Sequence, residues 1–158
     1  MKFLGIDIGT GGSRVLVIDE SGRVVAAATA EHEPFASPNI GWAEQDPGDW
    51  WQASASAIRH CLETVSADEI GAVGLSGQMH GSVFLDDNDR VIRPALLWCD
   101  QRTERQCVDL TNRLGSERLI ELVSNPAVTG FTLPKILWLR EHEPEKWQQV
   151  RSILLPKD

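Results

Sequence analysis

The sequence predicts an α/β fold built on a mixed sheet, and three observations carry this prediction. Three short apolar segments separated by turns open the chain and read as an antiparallel meander, at about residues 3–9, 13–19 and 24–28. A helical pattern beginning near Asp49 then precedes a further strand at 70–76. From Arg102 onward the pattern is mostly helical. Strands followed by alternating helices and strands are typical of an α/β domain.

The remaining elements follow from local signals. In the first helix, one apolar stripe is expected to contain Trp51, Ala55, Ile58, Leu62 and Val65. The prolines and glycines between residues 31 and 48 predict an ordered loop. The strand at 70–76 is expected to be buried. Beyond it we expect a hairpin at 83–85 and 91–92, a strand at 95–98, helices at about 102–114, 116–124 and 132–142, a short helix opened by Pro144, and a strand at 153–155.

Composition limits the classes of function. The 158 residues carry a net charge of −8, with 42% hydrophobic and 24% charged residues, as in ordinary globular proteins. The acidic balance argues against a nucleic-acid partner, and no apolar run reaches the ~20 residues of a membrane span. Three cysteines without metal-ligand spacing fit a reducing compartment, so we expect a cytoplasmic protein with no membrane partner.

The most informative segment is the glycine-rich turn that follows Asp7. Alternation along a strand places Asp7 on the face opposite to Ile6 and Ile8, where a carboxylate needs a cation, water or a donor. Backbone N–H groups of the turn could bind a polyphosphate and its magnesium ion. The predicted phosphate contacts are Thr10, Gly11, Gly12, Ser13 and Arg14. An ordinary hairpin in which Asp7 caps a turn is the alternative.

Two common phosphate loops are excluded by the sequence. A Walker loop needs a Lys followed by Ser or Thr, and none follows these glycines. The dinucleotide fingerprint needs a third glycine that opens a helix, whereas here the chain continues as the β-rich run 15–18. The site is therefore predicted to be a strand-turn-strand phosphate site.

A second candidate site follows the strand at 70–76. Ligands of α/β sheets bind beyond the carboxyl ends of strands, and Gln78-Met79-His80 lies there between two glycines. Gln78 and His80 offer hydrogen bonds to hydroxyl groups, and Met79 offers an apolar wall. Trp98 and Asp100 suit the apolar face and the hydroxyls of a sugar. The alternatives are a structural turn with His80 in the core, and Asp100 as a helix N-cap.

Six segments, taken together, resemble the FGGY carbohydrate kinases. They are 5–10, 42–47 with Trp50-Trp51, 77–81, 93–98, 129–135 and 155–158. The Gln-Met-His-Gly sequence is most similar to that of the xylulokinases in this family. The resemblance extends from Phe3 to Asp158. It implies a ribonuclease-H-like fold of the actin and hexokinase type, with ATP and sugar meeting between two domains.

The resemblance also implies roles for individual residues. Asp7 would bind Mg²⁺ through water and be catalytic, and residues 10–14 would contact the β- and γ-phosphates of ATP. Met79 and His80 would bind the sugar, together with Gln78, Trp98 and Asp100. The implied reaction is ATP-dependent phosphorylation of D-xylulose to D-xylulose 5-phosphate. Ribulose, gluconate or glycerol are alternative substrates of this family.

In the family, the aspartate that serves as general base comes later than residue 158. We therefore expect residues 1–158 to be an incomplete N-terminal kinase domain, without the second ATP-binding domain and inactive alone. Two other interpretations remain open at this point. One is a non-catalytic, actin-like nucleotide-binding domain. The other is a fragment whose exposed apolar face drives dimerisation.

Overall fold

The computed structural model describes all 158 residues, from Met1 to Asp158. The strands and helices, in chain order, are β1 (Lys2–Ile8), β2 (Gly12–Asp19), β3 (Val24–Glu31), β4 (Glu44–Gln45), α1 (Pro47–Leu62), β5 (Ile70–Gly77), β6 (Val83–Leu85), β7 (Ala95–Leu96), α2 (Glu104–Leu114), α3 (Ser116–Val123), α4 (Thr132–His142), α5 (Pro144–Trp147) and β8 (Ser152–Leu154). A single 3₁₀ turn, Ala67–Glu69, precedes β5.

The chain divides into two compact units. Unit 1 contains Met1–Pro34, Asp46–Gln78 and Pro156–Asp158, and unit 2 contains Phe35–Gln45 and Met79–Leu155. Unit 1 is built on a four-stranded sheet in the order β3-β2-β1-β5. The first three strands pair antiparallel, and β5 joins β1 in parallel after the crossover through α1. The predicted mixed sheet is confirmed.

Helix α1 covers one face of this sheet. Asp46 caps the helix by accepting a hydrogen bond from the Gly48 N–H at 2.8 Å, and Pro47 occupies the first turn. The core beneath it contains Leu4, Val15, Val17, Ala57, Cys61 and Val65. Each fully buried Val or Leu contributes about 1.5–3 kcal/mol relative to an exposed side chain.

The predicted apolar stripe of α1 was wrong at its first position. Trp51 is 76% exposed, whereas Trp50 is buried. The face that meets the sheet consists mainly of small residues: Ala53, Ser54, Ala57 and Cys61. Small side chains let the helix backbone approach the sheet closely, so the largest apolar residues do not mark the buried face.

Strand β5 lies where it was expected, but it is not buried. Val73 and Leu75 are 59% and 58% exposed. They pair with Leu4 and Ile6 of β1. They therefore lie on the same face of the sheet as α1, but beside the strands that the helix covers. The prediction of a buried strand was wrong because β5 is an edge strand and α1 packs mainly against β2 and β3.

Unit 2 contains two short antiparallel pairs, β4 with β7 and β6 with β8. The predicted hairpin is present: Leu85 and Val91 form an antiparallel bridge, and the Ile92 N–H donates to the Phe84 carbonyl at 2.9 Å. Its second arm is too short to form a strand, and the longer pairing of β6 is with β8, which was not predicted. The core is formed by Phe84, Leu96, Trp138 and Leu139. The four predicted helices are confirmed within about two residues at each end. None of the helices has the length and apolar character needed to span a membrane.

Candidate functional site

Asp7 lies near the end of β1 on an open face of the unit 1 sheet. Its cross-strand partners are Arg14 on β2 and Ser76 on β5, and paired residues of neighbouring strands point to the same face. Asp7 and Arg14 are both exposed. Together with Gly74 and Ser76 they border an open depression of about 400 Å³. The predicted orientation of Asp7, opposite to Ile6 and Ile8, is confirmed.

The turn that follows β1 is closed by a hydrogen bond from the Gly9 N–H to the Gly12 carbonyl at 3.0 Å. A Cβ on Gly12 would come within 2.8 Å of the Ala30 carbonyl oxygen, so the backbones pack closely there. Gly11 is exposed, and a Cβ at this position would meet no atom within 4 Å. The His32 N–H donates to the Gly11 carbonyl at 3.0 Å. The turn is thus held in place from β3 and remains open on its outer side.

Gln78 supports this turn. Its backbone N–H donates to the Ile8 carbonyl at 2.8 Å, and its side-chain amide donates to the Gly9 carbonyl at 3.3 Å. Its Oε1 accepts from the Thr10 hydroxyl at 3.4 Å. Gln78 therefore ties β5 to the glycine turn within unit 1. It belongs to a different unit from Met79 and His80, its neighbours in the predicted sugar loop.

The structure corrects the prediction for Ser13. Its side chain lies on the covered face of the sheet and is fully buried, with Oγ 2.9 Å from His32 Nε2. The Ser54 hydroxyl donates to Ser13 Oγ at 2.9 Å. Because Asp7 and Ser13 lie on opposite faces of the sheet, the Ser13 hydroxyl is not a donor to a ligand beside Asp7. This could have been predicted, because Ser13 and Arg14 are adjacent in one strand and so point to opposite faces of the sheet.

His32 shares this buried polar cluster. Burial lowers the pKa of His32 below its ordinary value of 6.5, and the Thr10 backbone and the Asp49 charge offset part of that effect. The imidazole is therefore neutral near pH 7. Sequence reasoning missed His32 because an isolated histidine in a loop carries no signal.

No three His, Cys, Asp or Glu side chains are close enough to form a metal centre on their own. The prediction for Asp7 does not require such a centre, because Mg²⁺ is commonly held by one or two carboxylates together with substrate phosphates and water. The exposed Asp7 carboxylate beside an open turn suits such a shared ion. It does not suit a cation bound by protein groups alone.

The predicted sugar loop belongs to unit 2. His80 has a left-handed backbone conformation with a φ of 61°, and its ring stacks on Phe131 with the centroids 4.1 Å apart. Met79 and Trp98 are 69% and 49% exposed. Met79 and Trp98 are thus open to solvent, whereas His80 is partly buried.

Lys135 lies beneath this loop and is fully buried. Its Nζ donates to the His80 carbonyl at 2.7 Å and to the Gly130 carbonyl at 2.5 Å. The Thr132 hydroxyl also donates to the His80 carbonyl, at 3.3 Å. Burial lowers the pKa of Lys135 to about 8, although the nearby Asp100 charge favours the ammonium form. Lys135 lies in the segment 129–135 that carries part of the family resemblance, but the resemblance implies no role for it.

Asp100 is enclosed. It is fully buried, accepts a hydrogen bond from the Ala43 N–H at 2.7 Å, and pairs with Arg102 at 2.7 Å. Arg102 also pairs with Glu44 at 2.7 Å, and its guanidinium lies 3.6 Å from the centroid of the Trp42 ring. Glu44 and Glu143 further pair with the buried Arg93. Asp100 is thus part of a buried ion network, and a sugar hydroxyl could reach it only if these groups moved. The sequence does not reveal this network, because Glu44 and Glu143 lie about fifty residues from the arginines that they pair with.

Comparisons with known proteins show the family of this chain. Residues 2–158 match the N-terminal domain of the FGGY family of carbohydrate kinases. A xylulose kinase of Escherichia coli strain K12 is 44% identical over 156 residues, which are 99% of this chain and 32% of that protein. The chain therefore spans about a third of the length of the curated relatives it matches.

Solved structures give the same result. The crystal structure of a "xyloylose kinase" from Brucella ovis is 38% identical and superposes with a TM-score of 0.93 over 100% of this chain and 33% of its own. A xylulose kinase from Rhodospirillum rubrum is 26% identical, with a TM-score of 0.95 over 100% of this chain and 33% of its own. These neighbours confirm the predicted actin and hexokinase type of fold. The chain belongs to the FGGY family of carbohydrate kinases and corresponds to the N-terminal domain of that family.

Proposed function

We propose that this chain supplies phosphate- and sugar-binding residues of a kinase that transfers the γ-phosphoryl group of ATP to D-xylulose. The observation that supports this most strongly is the exposed Asp7 carboxylate beside the open Gly9–Gly12 turn. The xylulose kinases among its relatives support the choice of sugar.

On the phosphate side, Asp7 would hold Mg²⁺ through water, and the ion would neutralise charge on the β- and γ-phosphates. Thr10, Gly11 and Gly12 would contact the phosphate oxygens. Arg14 lies on the same open face as Asp7 and adds a cation. Such alignment and charge neutralisation supply most of the catalysis in phosphoryl transfer.

On the sugar side, Met79, His80 and Trp98 would position the pentulose. Gln78 and Asp100 would act indirectly, through their hydrogen bonds to neighbouring segments. The terminal hydroxyl oxygen of xylulose would form a bond to the γ-phosphorus while the bond to the bridging oxygen breaks and ADP leaves. The hydroxyl proton needs a base, and we assign none among these residues. We therefore expect no measurable turnover by the 158 residues alone.

A chimera tests this proposal. Residues 1–158 replace the matching third of the Escherichia coli xylulose kinase, and ADP release is followed with D-xylulose, ribulose, gluconate and glycerol. We expect D-xylulose to be preferred. Asp7→Asn should lower kcat by about 100-fold or more, because charge stabilisation at the phosphates is lost. Asp68→Asn, which changes another exposed carboxylate of unit 1, is the matched control.

Three results would contradict the proposal. A clear preference for glycerol or gluconate would overturn the assigned sugar. An Asp7→Asn chimera as active as its Asp68→Asn counterpart would overturn the role of Asp7. Nucleotide binding that no sugar affects, in a folded chimera without turnover, would favour a non-catalytic nucleotide-binding domain.

A further inference from the structure

Lys135 joins two segments that carry predicted sugar contacts. One of its hydrogen bonds goes to the carbonyl of His80, and the other goes to the carbonyl of Gly130. Gly130 in turn packs on the segment of Trp98, since a Cβ there would lie 2.5 Å from the Trp98 carbonyl oxygen. Residues 130–135 therefore contact the backbone of both segments within unit 2.

Packing alone does not explain a lysine at this position. Its side chain is fully buried and forms no ion pair with a carboxylate. Its hydrogen bonds go to neutral carbonyls, and burial has depressed its pKa. An apolar side chain of the same length would fill the space without the cost of desolvating a charge. The ammonium group donates hydrogen bonds to two carbonyls, which an apolar side chain could not do.

The backbone of His80 needs such a partner. Residues other than glycine adopt a left-handed conformation at a cost, and His80 has a φ of 61°. Two donors, Lys135 and Thr132, converge on the His80 carbonyl, while Phe131 stacks on its ring. The residues that fix the His80 backbone and ring thus all come from a single segment, 131–135.

We propose that Lys135 is a positioning residue for sugar binding, which holds the His80 and Gly130 carbonyls and thereby sets the orientation of the His80 ring. This inference rests on the proposed function in one respect, namely that His80 contacts the sugar. We call the two hydrogen bonds from Lys135 to the His80 and Gly130 carbonyls the clamp. The clamp lies within unit 2, and its effect on the His80 ring can be measured without any ligand.

The test uses the 158-residue chain and the chimera. Lys135→Met removes the donors and keeps the side-chain length, and Lys146→Met is the control, since Lys146 is a half-exposed lysine paired with Glu143. The His80 ring resonances are assigned by their loss in His80→Asn. We expect Lys135→Met to move these resonances toward those of an unstacked histidine. The KM of the chimera for D-xylulose should rise about ten- to a hundredfold, with the KM for ATP unchanged. Lys146→Met should change neither quantity.

The possible outcomes separate the two proposals. Unchanged His80 resonances in a folded Lys135→Met chain would overturn the clamp. Shifted resonances with an unchanged KM for D-xylulose would overturn its role in sugar binding. If the wild-type chimera does not use D-xylulose, the proposed substrate fails, and the ring resonances still decide the clamp. Should Lys135→Met not fold, Thr132→Val removes the other donor to the His80 carbonyl and should shift the same resonances less.

Discussion

The two adjacent glycines of the phosphate turn should respond in opposite ways to an added methyl group. A Cβ on Gly12 would lie 2.8 Å from the Ala30 oxygen and 3.3 Å from the Glu31 Cα. Both are backbone atoms of β3, so neither can move away as a flexible side chain would. A Cβ on Gly11 would meet nothing within 4 Å, and Gly11 is not among the glycines with a positive φ.

The expected sizes follow from these contacts. Gly12→Ala overpacks the β2–β3 contact and should cost about 1–3 kcal/mol of unfolding free energy. For a chain of this size, that corresponds to a fall in Tm of about 2–12 °C. Gly11→Ala should be neutral, or stabilising by about 0.4–1 kcal/mol, because it restricts only the unfolded chain.

Thermal unfolding followed by far-UV circular dichroism and by tryptophan fluorescence measures both variants under the same conditions. A Tm for Gly12→Ala at or above that of the wild type would refute the close approach of the turn to β3. An equal loss in Gly11→Ala would refute the open outer side of the turn, and with it the space for a phosphate.

Three further predictions concern the free energy of unfolding. In each, urea unfolding compares two proteins that are named with the prediction. Burial lowers the pKa of His32 in the folded chain. As the pH falls below about 6.5, His32 therefore becomes protonated in the unfolded chain before it does so in the folded chain. Stability should then drop by up to about 1.4 kcal/mol per pH unit in the wild type, and this drop should be absent in His32→Gln. Lys135, whose pKa falls from 10.5 to about 8, should make the wild type more stable as the pH rises from about 8 to 10.5, by about 3 kcal/mol in total. Lys135→Met should lack this rise. Leu139→Ala should cost about 2–5 kcal/mol because Leu139 is fully buried, whereas Leu133→Ala, at a half-exposed position of the same helix, should cost far less.

Much of the fold could be predicted from local signals. The glycine turn, the β-meander and the helices that follow Thr103, Gly115 and Phe131 all depend on patterns within about ten residues. Pairing over long distances could not be predicted in the same way. Strand β6 pairs with β8, which is about seventy residues away, and no turn between them reveals the partner.

Burial was the less predictable property, since it depends on what covers an element. The apolar character of Val73 and Leu75 gave no sign that β5 is an exposed edge strand. In the candidate site, the alternation of side chains along a strand correctly predicted the face on which Asp7 lies. The same rule could have shown that the Ser13 hydroxyl lies on the other face and cannot donate to a ligand beside Asp7. The role of Lys135 was invisible, because the carbonyls it binds belong to residues 5 and 55 positions away.

The measurement that tests the central claim most directly is an amide NMR titration of the chain with magnesium tripolyphosphate, for the wild type and for Asp7→Asn. We predict shifts concentrated at residues 10–14 in the wild type, dependent on magnesium and strongly reduced in Asp7→Asn. Asp68→Asn should behave as the wild type. If the amides of the turn do not respond at millimolar concentrations of the probe, or respond equally in Asp7→Asn, the assignment of this turn as a magnesium–phosphate site is contradicted.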